Sequence, residues 1–264
     1  PQLLRSPGQA ACIENGKKNL EFVQTVHLII APSGKMNCDY APFRNWGTVD
    51  SMECRSLTTA PNMTSSHLIL HGTALSGHTH RVELFLNLLQ LPYRRIDTPG
   101  PVRRSAEFLR LNPRGQIPVL QDGEIVLADS NAILVYLARR YAAGSAWLPD
   151  DPAGAARVQA WLSMAAGEIA FGPAKARISA RFGDTGMPPV LMHQLATDAL
   201  SFMEHSLAQQ AFLAAANPTL ADLACYTYIA HAPEGGISLE PFPRVCSWIA
   251  RIRAMPHFVA MPEN

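Results

Sequence analysis

The sequence predicts an α/β unit with a mixed sheet, followed by an all-helical unit. Three observations carry that expectation. Residues 67–141 alternate short apolar strand-like runs with helical periodicity. The stretch Asn112 to Ser130, NPRGQIPVLQDGEIVLADS, reads as strand, tight turn, strand and helix start. Beyond a linker at 143–152, AGSAWLPDDP, nothing reads convincingly as strand.

Residues 1–62 differ from the rest. They hold three of the five cysteines (Cys12, Cys38 and Cys54) and mix Gly, Pro, Asn and Ser without sustained periodicity. They are expected to lie outside the folded unit, as a disordered or non-native extension, with Met63 opening MTSSHLILHG. A regulatory or targeting extension has no motif to support it. The expected organisation is therefore an extension at 1–62, an α/β unit at 63–142, a linker at 143–152 and a helical unit at 153–264.

Within the first unit, His67 to His71 is a short apolar strand and Gly72 to Gly77 a turn. Arg81 to Leu91 is a helix, because Val82, Phe85, Leu86 and Leu89 fall at i, i+3, i+4 and i+7. Leu84, Leu88 and Leu91 add a second apolar stripe, so this helix should be largely buried. Tyr93 to Ile96 is a second strand, Thr98 to Arg104 a loop, and Ser105 the cap of a short helix to Leu111. Ile117 to Leu120 and Glu124 to Leu127 pair through a turn at Gln121-Asp122-Gly123, since Asp-Gly tolerates positive φ. Asp129-Ser130 then sits where a helix cap belongs, before a helix from Asn131 to Tyr141.

In the second unit, Val158, Trp161, Leu162, Ala165 and Ile169 phase as a helix that breaks near Gly172-Pro173. A second helix contains Met192, Leu195, Ala196, Ala199, Phe202 and Met203. Thr219 and Asp222 resemble a capping box for a third, and Val245, Trp248, Ile249 and Ile252 mark the last.

Composition narrows the function. A net charge of +1 gives no argument for nucleic acid or for an acidic membrane surface. No apolar run reaches membrane-spanning length. Five cysteines without a CxxC pair argue against a disulfide framework, a zinc ribbon or a dithiol redox site, and fit a reducing compartment. His67, His71, His78 and His80 invite a metal reading, but no carboxylate or cysteine beside them completes a ligand set, so no metal is expected.

Pro118 is out of place inside a strand, because it cannot donate to the ladder. A cis bond before it would turn Ile117 outward, offering one N–H and one C=O to an extended peptide. Close by, the N–H groups at Ser130 and Asn131 would face an anion at a helix start. Together these suggest a site for a small peptide bearing a carboxylate. An ordinary hairpin followed by an ordinary helix fits the same residues.

The NPxGQIPVL segment, the Asp129-Ser130 helix start, a serine after the first strand and NPTLADL in the helical unit (Asn217 to Leu223) resemble the cytosolic glutathione transferase family, over about His67 to Met261. The N-terminal motif is of a bacterial, serine-type, zeta/theta-like kind. The resemblance implies a thioredoxin-like domain followed by a helical bundle, as a cytoplasmic homodimer. It implies that Gln116, Ile117, Pro118, Asp129 and Ser130 hold glutathione, the co-substrate. It also implies a catalytic group in the run Ala74 to Val82, where Ser76, counted back from Val82, matches the family serine, with His78 and Thr79 as alternative donors. A turn or cap role for Ser76 is the plainer reading. Zeta-like members carry Ser-Ser-Cys where this chain has Ser76-Gly77-His78, which argues against zeta-type isomerase chemistry.

The activity implied is conjugation of the glutathione thiolate to a small hydrophobic electrophile, a detoxification chemistry. Trp161, Met164 and Phe171 are candidates for the electrophile's wall, although aromatics at helical spacing more often pack in a core. The alternatives are a non-catalytic binding or regulatory protein of this fold, or a glutathione-dependent isomerase or reductase.

Overall fold

The computed structural model describes residues Leu68 to Pro262. The expected extension at 1–62 and His67 lie outside the described residues.

Strand β1 (Leu68–Gly72) leads into α1 (Gly77–Leu88), β2 (Arg94–Asp97), the short helices α2 (Gly100–Arg103) and α3 (Ala106–Leu111), the hairpin β3 (Val119–Asp122) and β4 (Ile125–Ala128), and α4 (Ser130–Tyr141). The sheet order is β2-β1-β3-β4. β1 runs parallel to β2 and antiparallel to β3, with Leu70 opposite both Arg95 and Leu120, and β4 is antiparallel to β3. The mixed sheet follows from the connections: a helix carries the chain from β1 to a parallel β2, while a two-residue turn suffices between β3 and β4. Gly123 takes φ +57° in that turn, a value glycine adopts without a Cβ penalty.

Several boundaries differ from expectation by a few residues, and three of the differences shape the site. α1 starts at Gly77, four residues before the expected start at Arg81, because the Ser76 hydroxyl accepts the Thr79 N–H (3.2 Å) and opens the helix early. The loop after β2 contains α2, whose start carries Pro101. β3 begins at Val119, after the proline, because Pro118 has no N–H to give the ladder.

The helical part comprises α5 (Pro152–Ala166), α6 (Glu168–Phe171), α7 (Pro173–Phe182), α8 (Pro189–Ser206), α9 (Leu220–Ala230) and α10 (Pro243–Arg253). Asp151 caps α5 by accepting the Gly154 N–H (2.7 Å). The break expected near Gly172 is present, and a further one falls at Gly167. α7 was not expected. Its sequence PAKARISARF is too basic to register as a core helix, yet Pro173 at its first position and a Gly172 flank suit a helix start.

One apolar core joins both parts: Leu70, Val82, Phe85, Leu120, Ile133 and Leu137 continue into Val158, Leu162, Leu223, Ile229 and Trp248. The Thr219–Asp222 capping box is present. Buried Asp222 also accepts the Trp248 Nε1–H (2.9 Å) and the Leu213 N–H (2.9 Å), so its lone pairs are met although burial raises its pKa. Among the described residues no helix is long and apolar enough to cross a membrane.

Candidate active site

A cleft of about 950 Å³ lies at the ends of β1 and β3. Ser76, His78, Gln116, Ile117, Pro118, Asp129 and Ser130 all line it. Residues as far apart in sequence as Ser76 and Ser130 are thus brought to one surface.

Each is fixed by its neighbours. The Ser76 oxygen accepts the Thr79 N–H, which leaves its own O–H available as a donor. Gly77 behind it is required, since a Cβ there would stand 2.6 Å from Cζ of Tyr228. The Ile117–Pro118 bond is cis, and Ile117 precedes the paired residues of β3. Buried Asn112 holds this segment: its Nδ2 donates to the Gln116 carbonyl (2.8 Å), and its Oδ1 accepts the Arg114 N–H (3.1 Å).

Asp129 has φ +78° and ψ +120°, a backbone geometry that costs a non-glycine residue roughly 1–3 kcal/mol and gathers at functional sites. Its Oδ1 alone accepts both the Asn131 N–H (2.9 Å) and the Ala132 N–H (3.0 Å). The helix cap therefore engages one carboxylate oxygen, and the exposed side chain presents the other. Ser130, buried, accepts a 2.8 Å bond from Arg81 Nη1.

The two alternative donors differ in position. His78 lies edge-on to Tyr228 at 4.9 Å, with Nδ1 3.4 Å from Ser130 Oγ. Burial, then the Arg81 charge, lowers its pKa to about 3, so the ring is neutral at pH 7. Thr79 does not line the cleft; it is fully buried against Gly72. His71 and His80, also weighed as metal ligands, bond to protein. His71 Nε2 pairs with Gln121 Oε1 (2.7 Å), and His80 lies between Thr227 Oγ1 (2.9 Å) and the Val259 carbonyl (2.9 Å).

None of the three residues expected to form the electrophile's wall lines the cleft. Trp161 is buried and packs on Phe202 at 5.2 Å. Met164 packs against the core, and Phe171 is exposed; neither lines the cleft. α7 and α9 contribute Lys175, Ile178, Phe182 and Tyr228 to the cleft lining. Sequence reasoning missed all four. The spacing of Lys175, Ile178 and Phe182, at i, i+3 and i+7, was the available signal, since it puts them on one helical face.

A mixed sheet with a cis-proline before β3, an Asp129-capped helix start and a helical second half define a thioredoxin-like domain joined to an all-helical one. The comparisons agree. Residues 75–140 match the family model described as glutathione S-transferase, N-terminal domain, and residues 193–256 match glutathione S-transferase, C-terminal domain. Human glutathione S-transferase theta-2 is 33% identical over 176 residues, covering 64% of this chain and 72% of that protein. A crystal structure of a glutathione S-transferase from Pseudomonas fluorescens superposes with a TM-score of 0.69 at 31% identity, covering 74% of this chain and 99% of that one. A glutathione transferase homologue from Drosophila mojavensis, with bound glutathione, gives 0.65 at 28% identity, covering 73% and 90%. The chain belongs to the glutathione S-transferase family.

Proposed function

We propose that the chain is a serine-type glutathione transferase that joins the sulfur of glutathione to a small hydrophobic electrophile. The observation that carries this is the convergence on one cleft of Ser76 Oγ, the Ile117 backbone and the Asp129-capped start of α4. Ile117 would pair with the cysteinyl backbone, Gln116 with the glycyl end, and Asp129 and Ser130 with the γ-glutamyl end. The second carboxylate oxygen of Asp129 suits the ligand's ammonium group.

Ser76 would donate its proton in a hydrogen bond to the sulfur at the start of α1. A donor and a helix N-terminus both favour a thiolate over a thiol. The sulfur then attacks an electrophilic carbon. A carbon–sulfur bond forms and the bond to the leaving group breaks, or, for a conjugated double bond, a proton is taken up at the neighbouring carbon. The run from Ala74 to Val82 contains no cysteine, so glutathione is the only nucleophile. Ile178, Phe182 and Tyr228 offer the electrophile an apolar wall. The reading includes a cytoplasmic homodimer, which sedimentation equilibrium tests directly.

The deciding experiment is an ultraviolet titration of glutathione bound to the protein. Free thiols of this kind ionise near about 8.5. Thiolate absorbance appearing well below that pH, and moving back up in Ser76→Ala, is the expected result. Bound glutathione that ionises at the free value overturns the role of Ser76.

A further inference from the structure

Tyr228 enters the cleft from α9 and meets the start of α1 tip first. Its phenolic end faces Gly77: a Cβ there would stand 2.6 Å from Cζ, 2.7 Å from Cε1 and 3.1 Å from the hydroxyl oxygen. Ring atoms cannot swing aside as the end of a flexible side chain can, so the glycine is what admits the phenol. The His78 ring packs edge-on at 4.9 Å and fixes it from the side. Only 2% of Tyr228 is exposed, and its neighbours in the cleft lining include Ser76, Gly77 and His78.

A phenol buried to that degree ordinarily finds an acceptor for its proton. Among the described residues no hydrogen bond takes it up, and the polar groups nearby are bonded to one another. Burial raises the pKa of Tyr228, against the charges of Arg81 and Arg177 and a hydrogen bond from the His78 backbone, so the phenol keeps its proton at pH 7. The His78 bond uses the oxygen as acceptor and leaves the proton to donate. A hydroxyl that accepts one bond donates the next more strongly. Ser76 repeats the pattern from the other side, accepting the Thr79 N–H with its own proton free. Two hydroxyls, one from each part of the chain, thus border the first turn of α1. The macrodipole of that helix favours an anion at the point between them.

We infer that Tyr228 is a second catalytic residue, whose hydroxyl donates a hydrogen bond to the glutathione sulfur alongside Ser76. This rests on the reading of the cleft as a glutathione site. The proton stays on the phenol oxygen throughout. The thiol releases its own proton to solvent, and the two hydroxyls hold the thiolate that remains.

The test is the ultraviolet titration of bound glutathione in wild type, Tyr228→Phe, Ser76→Ala and the double variant. Tyr228→Phe keeps the ring against Gly77 and His78 and removes one oxygen, so it should fold and bind glutathione as wild type does. His78, neutral down to about pH 3, does not titrate in the range. Losing a donor penalises the thiolate. The bound thiol should therefore ionise about one pH unit higher in Tyr228→Phe, a tenfold smaller ratio of thiolate to thiol. The double variant should lie above Ser76→Ala by a similar step. In Tyr228→Phe, kcat/KM should fall about tenfold at pH values below the wild-type thiol pKa and recover in alkali, a profile that a packing defect does not produce. A thiol pKa unmoved in Tyr228→Phe, or a double variant that matches Ser76→Ala, overturns the inference. If kcat falls while the thiol pKa stays, the hydroxyl serves the electrophile instead. Wild-type glutathione that binds but ionises at the free value overturns the inference while sparing the binding site. Wild type that does not bind glutathione removes both.

Discussion

Arg177 Nη1 donates a 3.0 Å hydrogen bond to the carbonyl oxygen of Leu75, the residue before Ser76. A helix that the sequence did not announce thus holds the loop carrying the proposed thiol-activating hydroxyl. Arg177 is buried, and its Nε pairs with Glu234 Oε2 at 2.8 Å; Arg181 and His231 pair with the same carboxylate.

Glu234→Gln should therefore reach the cleft from a distance. It leaves Arg177 buried without its anion, and breaking such a pair by removing one partner costs about 3 kcal/mol. We expect a lower melting temperature and a fall in kcat with little change in the KM for glutathione, because the loop is loosened while Asp129 and Ser130 are untouched. Equal kinetics in the variant and wild type, measured at saturating glutathione, would detach this network from the site.

Ser76 has two roles that one substitution pattern separates. Ser76→Ala removes the cap on the Thr79 N–H, worth about 1 kcal/mol, together with the donor to sulfur. Aspartate also caps well but is acceptor-only when ionised. Ser76→Asp should keep the thermal stability of wild type and lose the activity. A Ser76→Asp protein as active as wild type would reduce Ser76 to a cap.

Acid should weaken the fold through its buried histidines. His80 is 2% exposed, and burial lowers its pKa to about 4. The unfolded chain binds a proton at this residue below about pH 6.5, whereas the native state does not until near 4. A depressed native value means that stability is fully present above 6.5 and is lost as pH falls. The slope is about 1.4 kcal/mol per pH unit for each such histidine. Urea unfolding at pH 7 and pH 5 should differ by about 2 kcal/mol on this account. His80→Gln, which has no proton to gain, should shrink that difference; an unchanged difference would assign the acid sensitivity elsewhere.

The proposed glutathione side of the cleft was more legible in the sequence than the proposed electrophile side, and the reason is physical. Pro118, Asp129 and Ser130 are conspicuous because the backbone chemistry of proline, strand ends and helix caps is local. The four-strand sheet and most helices follow from periodicities of two and 3.6. α7 does not, because its value lies in what it faces: Lys175, Ile178 and Phe182 line the cleft, while Arg177 binds a loop 102 residues earlier in the chain. Nor could periodicity separate Trp161 from a pocket wall, since core and pocket aromatics share helical spacing.

The electrophile wall offers the sharpest contrast between those two aromatics. Phe182 is 58% exposed on α7 and lines the cleft, whereas Trp161 is 7% exposed inside the helical core. Truncating a buried aromatic costs about 3–5 kcal/mol, so Trp161→Ala should fail to fold or melt far below wild type. Phe182→Ala removes no core contact of that kind and should leave the melting temperature within a few degrees. On the proposed reading its ring would instead supply apolar area to the incoming electrophile, worth about 1–2 kcal/mol with half of it covered. The KM for a hydrophobic electrophile should rise about fivefold to thirtyfold, by the tenfold per 1.4 kcal/mol that links energy to affinity. The KM for glutathione should stay constant, because Phe182 stands apart from Asp129, Ser130 and Ile117 in the chain and makes no bond to them. Phe171→Ala, at an exposed position outside the cleft, is the matched control and should change neither constant. Steady-state kinetics with each substrate varied in turn reads all of this. A Phe182→Ala enzyme with an unaltered electrophile KM would move the second substrate away from α7.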